Sequence, residues 1–144
     1  MTTPTADDMQ QMREHTILGA LDISVVEVSA ERVVLEMPVG PKVHQPYGFL
    51  HGGASVVLAE TGASLGALLG AGSGFEAFGV EINANHLRPV RDGRVRAVCT
   101  PIRQGASIAV WDTQITDEQD RLVCVSRCTV MVRPVGEPPA SSAD

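Results

Sequence analysis

A chain of 144 residues, 44% hydrophobic and 19% charged, is long enough for one core and too apolar to be disordered throughout. Its formal charge of -6 argues against binding to long polyanions or anionic lipid, so no nucleic-acid or membrane partner is expected. Three cysteines, Cys99, Cys124 and Cys128, lack metal-type spacing and are odd in number, which points to a reduced, cytoplasmic setting and to no metal site.

The opening segment, residues 1–16, is polar and acidic where an export signal would be basic and then apolar, and carries a short helix near Asp7–His15. The folded domain is expected over 17–133. It begins with "ISVVEVSAERVVLEMPV", two valine-rich strands joined at Ser29-Ala30-Glu31. "GPKVHQPYGFLHGG" follows as a loop, by its glycines and prolines. The run from Ala54 to Leu69 has too many Ala and Leu and too few β-branched residues for a strand, so it reads as one long helix closed by "GAGSG". Residues 52–71 approach the length of a bilayer span, but five glycines and Glu60 within them argue against one.

Four strand candidates come next: "AFGVEINANHL", "GRVRAVCTPI", "SIAVWDTQIT" and "RLVCVSRCTVMV", the last three joined by short turns into a meander. "PVGEPPASSAD", residues 134–144, reads as a flexible tail. Aromatic residues make up only 3%, so the core must be mostly Val, Leu, Ile and Ala. A helix apolar nearly all round needs cover on most sides, and only the sheet is large enough to give it. The expected class is therefore α+β, one long helix wrapped by a curled antiparallel sheet of about six strands.

Glu60 is the only acid between His51 and Phe75. A buried carboxylate is costly unless paired or neutralised. Two readings are open: Glu60 reaches an edge or an arginine, or it is held in a dry cleft as nucleophile or general base. The residues before it favour chemistry. His51-Gly52-Gly53 opens the helix, where bare N–H groups face any developing oxyanion and glycine lets a carbonyl come close. Gln45 and His51 add donors from the same loop, and Ser64 shares a helix face with Glu60. Glu60 lies seven residues beyond Gly53, about 10 Å along the axis, too far for one carbonyl to touch both. If both act on it, they come from different subunits, and the minimal unit is a homodimer with two sites.

Gly62-Ala63-Ser64-Leu65-Gly66 matches the G-x-S-x-G of serine hydrolases, but that motif needs a strand, a sharp turn and a helix, and here it falls inside a helix. His15 falls at an exposed end, His86 reads as a core or cleft residue, and His44 lines the loop. Arg88, Arg91, Arg94, Arg96 and Arg103 crowd one segment with Asp92 as its only acid; they form either a solvated strand face or a rim for a small polyanion.

"HGGASVVLAETGAS", with the two preceding strands and "VEINANHLRP" after it, resembles the hotdog-fold acyl-CoA thioesterases, in particular the phenylacetate-pathway (PaaI-like) branch. The likeness runs from about Ile17 to Val132. It implies the same wrapped-helix fold, a homodimer and commonly a homotetramer of two dimers, and hydrolysis of an acyl- or aroyl-CoA thioester without any cofactor. Glu60 would attack the carbonyl or activate water, and the N–H of Gly53 or Gly52 would polarise the carbonyl. Gln45 and His51 would hold the thioester from the partner subunit, with Ser64 assisting Glu60. Asn85, Arg88 and Pro89, with Arg103 and Gly105 at the following turn, would line the path of coenzyme A. A hotdog hydratase or dehydratase and a non-catalytic acyl-CoA-binding domain are the alternatives.

Overall fold

A computed structural model describes residues 5–136. Chain order is α1 (Ala6–Gln11), α2 (Ile17–Ala20), β1 (Ser24–Val28), β2 (Val33–Pro38), a 3-10 turn (Pro41–Val43), α3 (Gly52–Ala71), β3 (Phe75–His86), β4 (Arg94–Gln104), β5 (Ile108–Thr116) and β6 (Leu122–Pro134). The expected strands and long helix are all present. The N-terminal helix stops earlier than expected, because His15 adopts a φ of 63° and a separate helical turn follows. β6 runs on to Pro134, and the Val135 N–H donates to the Gly74 carbonyl, so the first residues of the expected tail are part of the fold; residues 137–144 lie outside the described residues.

All six strands are antiparallel, in the order β1-β2-β4-β5-β6-β3. The β4-β5-β6 meander forms as its turns imply. β3, which follows the helix, crosses to the far edge and pairs only with β6. Period-two alternation places Ala109, Trp111, Thr113 and Ile115 of β5 in the core, beside Val95, Ala97 and Cys99 of β4. Pro101 lies within β4, where a proline removes a ladder donor, and the register slips by a bulge between Pro101 and Arg103.

The single tryptophan is the largest fully buried side chain, so the core is less purely aliphatic than composition suggested. α3 runs across the concave face, packed by β2 through β6. Small residues permit this: a Cβ added to Gly66 would stand 2.1 Å from Cη2 of Trp111, and one at Gly62 would stand 2.2 Å from Sγ of Cys99. By length and composition α3 is apolar enough to cross a bilayer, yet its Ala54, Leu58, Ala59, Ala63 and Ala67 are buried against this protein's own strands. Coverage is one-sided, however. Val56, Val57, Glu60, Thr61, Ser64, Leu65, Leu68 and Leu69 remain half-buried, so the sheet wraps the helix less fully than expected.

Candidate active site

The start of α3 is built by the loop before it. Gln45 donates its N–H to the Phe49 carbonyl at 2.8 Å, and Gly48, with φ of 80°, donates back to the Gln45 carbonyl at 2.9 Å. The Gln45 side-chain oxygen accepts the Tyr47 N–H. The loop is tied down by Leu50 N–H to Val90 O at 2.7 Å and His51 N–H to Val43 O at 2.8 Å. His44 Nε2 lies 2.7 Å from the Arg91 carbonyl, and the Arg91 guanidinium stacks 4.1 Å from the centre of the Phe49 ring.

His51 is the N-cap: its Nδ1 accepts the Gly53 N–H at 2.8 Å, and its carbonyl takes the Ala54 and Ser55 N–H groups at 3.0 and 3.4 Å. This revises the donor expected at Gly53, because that N–H is already spent. The Gly52 N–H has no partner among the described residues, and Gly52 lines a cavity of about 340 Å³. Gln45, Phe49, Gly52, Ser55, His86, Arg88 and Pro89 are among its walls. The His86 ring packs flat against Gly52, where an added Cβ would meet Nε2 at 2.6 Å. His86 is thus a cleft residue at the helix start. The signal for it is strand alternation: Ile82, Ala84 and His86 share the helix-side face of β3.

Glu60 and Ser64 stand elsewhere. With Thr61, Leu65, Leu68 and Ala77 they line a second cavity of about 330 Å³, between α3 and edge strand β3. Glu60 is half-buried and makes no ion pair or hydrogen bond among the described residues, so no arginine neutralises it. Its carboxylate lies on bare backbone: a Cβ at Gly79 would fall 2.0 Å from Oε1. Gly52 and Glu60 are eight residues apart on one helix, about 12 Å. The structure therefore gathers Gln45, Gly52, Arg88 and Pro89 in one cavity and Glu60 and Ser64 in another, with the exposed His51 at the cap of the first.

Three of the expected substrate contacts fall outside both cavities. Asn85 has the opposite strand parity from His86 and lines a depression with Asn83, Asp112 and Arg127 instead of the loop cavity. Arg103 and Gly105 sit at the β4–β5 turn; Gln104 beside them meets Gly70 and donates to the Ala67 carbonyl, at the end of α3 remote from Gly52. Among the clustered arginines, Arg94 and Arg96 approach Glu36 at 3.9 and 2.6 Å and Arg91 is stacked on Phe49, which is the solvated-face reading for most of the group. Arg88 lines the loop cavity and has no carboxylate partner among the described residues.

A long helix wrapped by an antiparallel sheet, with an unpaired acid on the helix and a free amide at its start, is a hotdog arrangement, and comparison with known proteins supplies its class. The family model for the thioesterase superfamily matches residues 47–124. A 1,4-dihydroxy-2-naphthoyl-CoA hydrolase from Listeria monocytogenes is 47% identical over 113 residues, covering 78% of this chain and 92% of that protein. A protein of the same name from Escherichia coli is 42% identical over 128 residues, covering 89% and 94%. Among solved structures, thioesterase HI1161 from Haemophilus influenzae superposes with a TM-score of 0.90 at 41% identity, covering 94% of this chain and 95% of that one. The chain belongs to the thioesterase superfamily, and it is an enzyme of the thioester hydrolase class.

Proposed function

We propose that this enzyme hydrolyses an aroyl- or acyl-CoA thioester to the free acid and CoA, in a site completed by a second copy of the chain. The observation that carries this is the separation of the Gly52 N–H from the Glu60 carboxylate, whose residues each line a cavity that lacks the other. A donor without a base, and a base without a donor, are two halves of one acyl-transfer site.

The missing half has a place to dock. β3 is an edge strand of 12 residues with one side unpaired, and Phe78 and Val80 on it are 43% and 60% exposed. Glu60 lies against Gly79 of this strand, so a copy paired antiparallel along β3 would bring its own loop to the carboxylate. The half-buried apolar face of α3 would be covered by the same contact. We take this dimer as the minimal unit and two dimers as the assembled tetramer.

In the paired site the Gly52 N–H polarises the thioester oxygen, with Gln45, His51 and His86 around it. Glu60 of the other protomer, oriented by Ser64, either takes a proton from water as the water oxygen bonds to the carbonyl carbon, or bonds to that carbon itself. Collapse of the adduct breaks the carbon–sulfur bond; in the general-base route the proton held by Glu60 ends on the departing thiolate, and in the nucleophilic route the thiolate takes its proton from water. When the carboxylate has itself attacked, water then cleaves the resulting anhydride. Arg88 at the cavity rim holds a phosphate of CoA. The relatives named for a naphthoyl thioester, and the largely apolar cavity that Thr61, Ser64, Leu65, Leu68 and Ala77 form beside Glu60, favour an aromatic acyl group. Within the superfamily, the resemblance of "HGGASVVLAETGAS" supports assigning the chain to the phenylacetate-pathway-like branch.

The test is a free-thiol release assay across aromatic and aliphatic CoA thioesters, with enoyl hydration run alongside. Release from an aroyl-CoA that is lost in Glu60→Gln, with assembly intact, is the expected result. Hydration without thiol release would make the protein a hydratase, and tight CoA binding with neither would make it a binding domain.

A further inference from the structure

The helix start has one free backbone donor, since Gly53 is occupied by His51 Nδ1 and Ala54 and Ser55 both bond the His51 carbonyl. One N–H is a lean oxyanion site for a thioester. A second group stands beside it. Ser55 is 1% exposed, its hydroxyl has no hydrogen-bond partner among the described residues, and it lines the same cavity as Gly52, Gln45 and His86. A serine in the first turn of a helix ordinarily turns its hydroxyl back to a carbonyl or out to water. Here it makes no hydrogen bond to a described residue, and the residue's slight exposure opens into the cavity. Among the described residues Arg13 Nε is the fully enclosed side-chain atom without a partner, so the Ser55 hydroxyl is reached from the cavity and is free to bond a group held there.

Ser55 is three positions beyond Gly52, which puts them on one helix face less than a turn apart. Gly53 and Ala54, between them, point elsewhere or carry no polar atom. We propose that the Ser55 hydroxyl is a second donor to the thioester oxygen, acting with the Gly52 N–H as the carbonyl carbon becomes tetrahedral. The step involves no covalent bond to Ser55: its proton stays on Oγ while the hydrogen bond shortens toward the growing negative charge. This role rests on the thioesterase reading of the site.

The measurement is steady-state hydrolysis of the best aroyl-CoA by wild type, Ser55→Ala and Ser55→Thr, with thermal unfolding of each. Ser55→Ala should lower kcat about 100-fold with KM nearly unchanged, the size expected for one lost oxyanion donor. Ser55→Thr keeps the hydroxyl and should recover most of that loss. Two unreactive analogues separate donation from packing: a ketone with CH2 in place of sulfur keeps the oxygen, and a thioether lacks it. Ser55→Ala should weaken the ketone and leave the thioether alone. Wild-type kcat in Ser55→Ala, or equal weakening of both analogues, would overturn the proposal. No thiol release by wild type on any thioester would instead overturn the reading on which it rests. Turnover lost in Glu60→Gln but kept in Ser55→Ala sinks the second donor alone.

Discussion

The two cavities along α3 differ in kind although one helix serves both. The loop cavity is rich in donors and holds no carboxylate, while the groove toward β3 holds Glu60 and, beyond two hydroxyls, only hydrocarbon. Keeping them apart on one chain leaves Glu60 distant from the donors of its own helix start and without a partner among the described residues. The protomer thus carries an acid-bearing and a donor-bearing environment, which the proposed dimer would bring together.

The largest effect should come from removing the acid. Glu60→Gln should lower kcat by roughly 10³-fold, the scale of a lost general base, with the unfolding midpoint little changed. Mixing then tests the division of labour. Gly52→Ala inserts a Cβ 2.6 Å from His86 Nε2 and spoils the donor half. When Glu60→Gln and Gly52→Ala chains are unfolded together and refolded in equal amounts, half of the dimers are mixed. A site shared between protomers gives each mixed dimer one intact site of two, so about a quarter of wild-type activity should return. A site contained in one chain would return none. Gly79→Ala is milder: its Cβ would fall 2.0 Å from Glu60 Oε1 and must push the carboxylate aside. A displacement of about 1 Å predicts a loss near 100-fold in kcat with dimerisation preserved by size-exclusion measurement.

The opposite face of the helix should answer in stability and not in rate. Gly66→Val would drive a branched side chain into Trp111, where the indole donates to Gln104 Oε1 at 3.3 Å and Gln104 in turn donates to the Ala67 carbonyl. Overpacking of this kind costs about 1–3 kcal/mol, read as a lower urea midpoint, with kcat of the folded fraction nearly unchanged.

Much of this was legible in the chain itself because the fold is written in two periods. Alternation fixed the strands, and the Ala/Leu run bounded by glycines fixed the helix, so Glu60 could be placed on it before any coordinates. The donor end was also legible as His51-Gly52-Gly53, but which amide is free was not. That depends on the His51 ring turning back onto Gly53, a rotamer that spacing does not reveal. Asn85 lies in a different depression from His86 because successive strand residues face opposite ways, which a contiguous motif does not display. The purpose of the arginines was obscured for another reason. Glu36, which engages Arg94 and Arg96, is some sixty residues away in sequence and adjacent only through the β2–β4 register.

The smallest expected effect joins the two faces through a thiol. Burial pushes the Cys99 and Cys128 thiols up to about 11, and for Cys128 the negative charge of Glu60 adds to the burial. Both should therefore alkylate slowly in the folded protein at mildly alkaline pH, since only the thiolate reacts. Glu60→Gln removes one anion near Cys128, which favours the thiolate and lowers the pKa. Burial, the larger cause, stays, so alkylation at Cys128 should rise only a few-fold, resolved site by site by mass spectrometry. Cys99 supplies the control: burial and the charge of Asp112 raise it against a hydrogen bond with Thr113 that lowers it, with no contribution from Glu60. A rise at both cysteines would mean that the substitution had loosened the core, whereas a rise at Cys128 alone would show that the Glu60 charge is felt through the helix by the strand behind it.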